Sequence, residues 1–324
     1  MKNKRNNKLS LISLFAGAGG MDVGFHDAGF NTLWANEYDK NIAPSYKNHF
    51  PKVKFNGSSI TEVDNKDVPA AIGIIGGPPC QSWSEAGAKR GVDDPRGQLF
   101  FEYIRILEHT QPKFFVAENV SGILHERNKV AFDNILELFE KAGYDVKYKL
   151  LNASDFEVPQ DRKRVFVVGF RKDLKVDFEF PKPIEKKKTL KDAIYDLKDV
   201  ELSDSCSINH EITTTGYSSM FMSRNRVRDW DEQSYTIVAM DRQTPLHPQA
   251  PKMLKTSDKD KRIFAPGKED LYRRLSIREC ARVQTFPDSY DFKYTHARNG
   301  YKMIGNAVPV RLAYHLAKKI KEYL

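Results

Sequence analysis

With 324 residues, the chain is long enough for one large domain or two smaller ones. Its 52 Lys and Arg against 43 Asp and Glu leave a formal charge of +9, which points to a polyanionic partner. Three cysteines without pair spacing (Cys80, Cys206 and Cys280) exclude a disulfide framework and a zinc site, so no metal is expected, and no apolar run approaches the ~18 residues of a membrane span.

The first residues, Met1-Lys2-Asn3-Lys4-Arg5, read as a disordered basic tail. Leu11 to Phe15 is shorter than the ~7 apolar residues of a signal-peptide core and reads as a first strand. Ala16-Gly17-Ala18-Gly19-Gly20 is a glycine-rich turn, Met21 to Ala28 a helix closed by Gly29, and Thr32 to Ala35 a second strand. Glu37 follows, at the distance from Gly17 where a nucleotide-binding unit keeps the acid that holds both ribose hydroxyls. Asp22 stands where the dinucleotide fingerprint needs its third glycine, which favours an adenosine-bearing cofactor other than NAD.

Ile72 to Ile75 is a buried strand stopped by Gly76-Gly77-Pro78-Pro79, with Cys80 at its tip. In open α/β sheets chemistry gathers at such carboxyl ends, so Cys80 is a candidate nucleophile; taken alone it would be an inert buried thiol. Ser84 to Gln98, rich in Gly, Arg and Asp, reads as a mobile lid. Leu99 to His109 is an amphipathic helix and Lys113 to Ala117 a strand ending in Glu118-Asn119-Val120. A carboxylate at that depth is costly unless it has a task or a partner. A helix over Val130 to Ala142 and a strand over Val146 to Leu151 lead to Pro159-Gln160-Asp161-Arg162-Lys163-Arg164 and the strand Val165 to Val168. Period two puts Arg162 and Arg164 on one face.

This alternation predicts an α/β fold with a mostly parallel sheet up to Gly169. Pro181 to Lys188 is a linker. Residues 190–290 are less periodic, with polar clusters at Arg224 to Trp230 and Met240 to Thr244; arginine and glutamine there can bind purine edges bidentately. Gly305-Asn306-Ala307-Val308-Pro309 precedes a helix from Val310.

Six blocks in this order resemble the cytosine-C5 DNA methyltransferases across nearly the whole chain. They are Phe15 to Gly20, Pro78-Pro79-Cys80-Gln81, Glu118-Asn119-Val120, Gln160-x-Arg162-x-Arg164, the stretch Arg274 to Pro287, and Gly305 to Pro309. The stretches Gly76 to Glu85, Phe221 to Arg228 and Leu246 to Pro251 look most like GGCC-modifying enzymes of bacterial type II restriction–modification systems.

The resemblance implies a Rossmann-like catalytic domain over 1–185 and 292–324, a smaller target-recognition domain over 186–291, S-adenosyl-L-methionine as cofactor, and a flipped-out cytosine of double-stranded DNA as substrate. It implies a prokaryotic, cytoplasmic monomer. Cys80 would add to C6 of the base, Glu118 would serve N3, Arg164 would bind O2, and Arg162 would hold the adjacent backbone or the catalytic loop. Phe15, Ala16, Gly17, Ala18, Gly19, Glu37, Tyr38, Ser59, Ile60, Pro78, Leu99, Asn306 and Val308 would hold the cofactor. Gln81, Ser84, Arg90, Arg96, Arg224, Arg226, Arg228, Arg242 and Gln243 would meet DNA, with Arg226, Arg228 and Arg242 reading guanines. The target would be GGCC, or GG and CC around a central base. Where the family commonly has an adenine-binding Asp, this chain has Ser59, which brings no charge.

A relative methylating transfer RNA would carry a Cys-Phe-Thr stretch that is absent here. A regulator that binds DNA without catalysis has no use for a thiol beside a carboxylate.

Overall fold

The computed structural model describes residues 9–79, 95–202 and 209–324, with backbone alone at 95–97. The basic tail, Cys80, Cys206 and the loop with Gln81, Ser84 and Arg90 lie outside the described residues, as does the Arg96 side chain.

Strands β1 (Ser10–Leu14), β2 (Asn31–Asn36), β3 (Lys54–Asn56), β4 (Gly73–Gly76), β5 (Phe114–Val120), β6 (Tyr144–Asn152) and β7 (Lys163–Arg171) form one sheet in the order β3-β2-β1-β4-β5-β7-β6. The first five are parallel, while β7 runs antiparallel between β5 and β6. The sheet is thus mostly parallel, as expected, with an antiparallel pair at one end. There β6 and β7 are joined directly, without the crossover helix that parallel pairing requires.

All of β1 is buried, as a central strand covered on both faces must be. Its side chains alternate between two cores. Ile12 and Leu14 join Phe100, Tyr103, Phe115 and Phe139 beneath α3 (Pro95–Thr110) and α4 (Lys129–Lys141). Leu11 joins Phe25 of α1 (Gly20–Asp27) and Leu312 and Leu316 of the carboxyl-terminal helix on the other face. Each such side chain taken from water contributes roughly 1.5–3 kcal/mol. Gly24 permits the second packing, because a Cβ there would lie 2.4 Å from the Val310 carbonyl oxygen.

Four helices or helix bounds depart from expectation. Helix α3 starts at Pro95, so the last four residues of the expected lid are helical; proline suits a first helical turn. Helix α2 (Ala43–His49), α6 (Ile277–Val283) and α7 (Ala297–Asn306) were not legible as helices. Among the described residues between linker and α7, regular structure is limited to α5 (Leu190–Ile194), α6, short 3-10 turns, and the two-residue strands β8 (Leu254–Lys255) and β9 (Arg262–Ile263). Helix α8 (Val310–Lys321) closes the chain.

The irregular region is not one separate body. Leu190, Ile194, Ile237 and α6 share a core with Ala18, Val23, Ile42 and Val310 of the sheet domain. Phe221, Val227, Leu246, Ala250, Met253 and Tyr272 form their own small cluster.

Charge holds α6 within this region. Ser276 and Glu279 cap α6 reciprocally. The fully buried Glu279 also takes a bidentate pair from Arg273, 2.7 Å at each oxygen. Burial alone would raise this carboxyl; Arg273 and His247 outweigh it and bring it down to about 2. A carboxyl depressed on folding stabilises above its unfolded value near 4.5 and loses that contribution as pH falls toward 2. Glu279→Gln is therefore expected to cost on the order of 3 kcal/mol at neutral pH, with the deficit closing in acid. Urea unfolding across a pH series checks this; a deficit unchanged down to pH ~3 would assign the effect to packing instead.

Candidate active site

Strand β4 ends at Gly76, and Gly77, Pro78 and Pro79 carry the chain toward Cys80. The neighbouring β5 brings Glu118 to the same end of the sheet. Gly77 leaves room for this closeness, since a Cβ there would lie 3.0 Å from Glu118 Oε2. Buried Asn119 donates from Nδ2 to the Pro78 carbonyl at 3.1 Å, which ties the proline turn to β5. Antiparallel β7 places Arg164 opposite Val120, and Arg164 Nε meets Glu118 Oε1 at 2.9 Å. Glu118 is buried, and burial raises its carboxyl while Arg164 and Arg162 pull it down.

Gly77, Pro78, Pro79, Glu118 and Arg164 line one end of a cavity of about 630 Å3. That size falls in the range of small-ligand sites. Phe15, Ala16, Gly17, Glu37, Tyr38, Ser59, Ile60, Leu99, Asn306 and Val308 line the rest. Phe15 is held at φ 53, a left-handed conformation that costs a bulky residue ~1–2 kcal/mol, where β1 turns into the glycine loop. Glu37 accepts the Gly17 N–H at 2.9 Å and the Asp39 N–H at 2.8 Å, one on each oxygen. The carboxylate is thus aimed by backbone and keeps lone pairs for a ligand. Burial raises its pKa, against those two hydrogen bonds. Ser59 lines the cavity but shares its hydroxyl with Thr61 Oγ1 at 2.7 Å.

Two residues expected to hold the cofactor do not reach the cavity. Ala18 is buried in the core around α6, and its carbonyl accepts the Tyr290 hydroxyl. Gly19 serves the turn: φ is 70 and a Cβ would strike Phe50 and Tyr46. Arg162 stands one residue before β7, near enough to Arg164 and Glu118 to act on both electrostatically. It is fully buried, donating to Ile237 O at 2.7 Å, Gly305 O at 2.8 Å and Ala307 O at 3.0 Å. Expected to hold adjacent backbone or the catalytic loop, it ties the β6–β7 turn to the Gly305 segment through these carbonyls. Gly305 itself allows the backbone of Val238 within 2.2 Å of where a Cβ would stand.

Other lining residues escaped the sequence. Asp22 accepts hydroxyls from Ser13, Thr32 and Tyr46 at 2.8–2.9 Å. Lys302 of α7 pairs with Asp39 at 2.6 Å. Only the acid of the fingerprint position gave any hint of the first, and nothing local announces the second.

The recognition arginines separate into two kinds. Arg228 pairs with Glu232 at 3.0 Å and Asp161 at 3.5 Å, and lies over the Tyr235 ring. Arg226 donates to Phe221 O, Met220 O and Gln243 Oε1. Arg224 and Arg242 are exposed.

The family model for C-5 cytosine-specific DNA methylase matches residues 9–322. The chain belongs to that family. This methylase is 58% identical over 330 residues to the type II methyltransferase M.FnuDI of Fusobacterium nucleatum, covering 98% of this chain and 95% of the relative. It is 53% identical to M.NgoPII of Neisseria gonorrhoeae, with 98% and 97% covered. Among solved structures, a protein assigned as a prophage-encoded DNA modification methyltransferase (E. coli) superposes with a TM-score of 0.73 at 25% identity, covering 97% of this chain and 99% of the other. The methylase is an enzyme acting on C5 of cytosine in DNA. Among its described residues no helix is long and apolar enough to cross a membrane, and no cluster of three or more His, Cys, Asp or Glu is placed to hold a metal ion.

Proposed function

We propose that this methylase is the modification enzyme of a type II restriction–modification system, that S-adenosyl-L-methionine occupies the cavity, and that the cytosine enters beside Glu118 and Arg164. The observation that carries this is the Glu118–Arg164 pair at the end of the cavity lined by Pro78 and Pro79. The cavity's residues suit that cofactor: an aimed acid at Glu37 for ribose hydroxyls, and apolar walls from Phe15, Ile60 and Leu99 for a base. When bound, it supplies an electrophilic methyl group.

The protein's task is to make C5 nucleophilic. A Cys80 thiolate adds to C6, forming a carbon–sulfur bond and pushing electrons to C5. Glu118 holds a proton at N3 and so takes up the charge displaced there; burial favours its protonated form. Arg164 steadies both the Glu118 carboxyl and O2 of the base. Once C5 carries the methyl group, its proton leaves to a base, the ring electrons return, and the thiolate is expelled. Incubating the enzyme with methyl-labelled cofactor and either duplex DNA or transfer RNA tests the reading. Label in C5 of DNA cytosine supports it, and label in RNA alone refutes it.

We further propose that residues 186–291 include the target reader, with Arg224, Arg226, Arg242 and Gln243 toward the DNA and a GGCC-like site as target. The exposure of Arg224 and Arg242 supports this, since a purine contact needs donors that solvent and DNA can reach. Arg242→Ala is expected to cost ~1–3 kcal/mol of discrimination at one base pair. Arg228→Ala, which breaks the pairs to Glu232 and Asp161, is expected to lower stability and leave site preference alone. Methylation of a randomised duplex pool by each variant decides. Preference unchanged in Arg242→Ala, or altered in Arg228→Ala, would reverse the assignment.

A further inference from the structure

The wall of the cavity formed by Ser59 and Ile60 belongs to the connection between β3 and β4, which has little regular structure of its own. Its 3-10 turn, Ile60–Glu62, is held internally by the Glu62 N–H to Ser59 O and the Val63 N–H to Ile60 O. Arg105 of α3 reaches it from outside. Nη2 donates to Val63 O at 2.9 Å and to Ile60 O at 3.3 Å, and Nη1 donates to the Asn65 side chain. Nε is held by Glu102, one turn earlier on α3, at 2.6 Å. Leu99, on the same helix, also lines the cavity. One guanidinium therefore sets the position of Ile60 relative to Leu99, that is, of two walls of a single site.

We infer that Arg105 is a positioning residue for the cofactor, acting on affinity by fixing the Ser59–Ile60 turn against α3. The inference rests on reading the cavity as the cofactor site. It matters more in this chain because Ser59 is neutral and its hydroxyl is already shared with Thr61, so a base on this wall depends on the backbone being in place. The turn is also anchored by burial of Ile60, Val63 and Val68, so the fold does not depend on Arg105.

The test uses the full chain with Arg105→Met, Arg105→Lys and Glu102→Gln, titrated calorimetrically with the product S-adenosylhomocysteine and assayed with duplex DNA. Arg105→Met is expected to weaken product binding about tenfold, the factor set by losing charged hydrogen bonds. Arg105→Lys should recover part of that loss, and Glu102→Gln should show a smaller change in the same direction. KM for the cofactor should rise while KM for DNA and kcat at saturating cofactor stay within about twofold. Arg105→Met binding the product as tightly as wild type overturns the inference. So do kcat and both KM values changing in step with a lowered Tm, which would mark a general structural role. If wild type does not bind the product at all, the cofactor reading fails too, which distinguishes the two failures.

Discussion

Replacing Cys80 by serine is expected to abolish methyl transfer, by more than about 10³-fold, while the protein still binds duplex DNA and product cofactor. A serine hydroxyl is almost never ionised at neutral pH, whereas a thiol ionises far more readily. The chain leading to Cys80 is held in place. Two prolines restrict the backbone before Cys80, and Asn119 fastens the Pro78 carbonyl to β5. Cys280 provides the contrast. It is fully buried, and burial together with Glu279 pushes its thiol up, so it stays protonated and inert. Cys280→Ser should lower stability and leave most activity per folded molecule, and Cys206→Ser should leave most activity too. Initial rates on one duplex, corrected for folded fraction, check the series. Activity lost equally in Cys280→Ser would remove the distinction.

Glu118→Gln is expected to reduce kcat by ~10²–10⁴-fold, the range for losing a positioned acid. Glutamine keeps the volume, and its amide can still donate to N3, but it cannot supply a proton there. The pH dependence carries more information than the rate. Burial raises the Glu118 carboxyl, against Arg164 and Arg162. Activity that needs the protonated acid is retained below that raised value and lost as pH rises through it. Thiolate formation at Cys80 has the opposite slope. The wild type should therefore show a bell-shaped profile, and Glu118→Gln should lose its alkaline limb. A variant profile of unchanged shape would contradict the role at N3.

The catalytic blocks were legible because their chemistry is written in local spacing: a strand ending in Gly-Gly-Pro-Pro, a carboxylate at a strand end, an acid after a glycine turn. What stayed hidden depends on partners distant in sequence. Arg162 looks like a site residue by type, yet its donors go to carbonyls at 237, 305 and 307. Asn119 was quoted as part of a block, but its bond to Pro78 spans 41 residues. Helix α7 was concealed by Gly300, Gly305 and a run of Arg, Asn and Lys. Those glycines are there for close packing, against Ile277 and Val238 respectively. The region around 210–275 lacks period because side chains do much of the work of a ladder. Asp241 gathers Thr213 and Thr215, and Arg274 donates to Thr215 O and Gly216 O. Hydrogen bonding of that kind leaves no repeat to read.

The central claim, that Cys80 attacks the base with Glu118 and Arg164 holding it, is tested most directly by a duplex carrying 5-fluorocytosine at the target position. Fluorine cannot leave as a cation, so the reaction stops with the base still bonded to sulfur. The expected product is a stable protein–DNA adduct that maps to Cys80 by peptide mass, forms slowly in Glu118→Gln, and is absent in Cys80→Ser. An adduct mapping to another residue, or one that persists in Cys80→Ser, would contradict it.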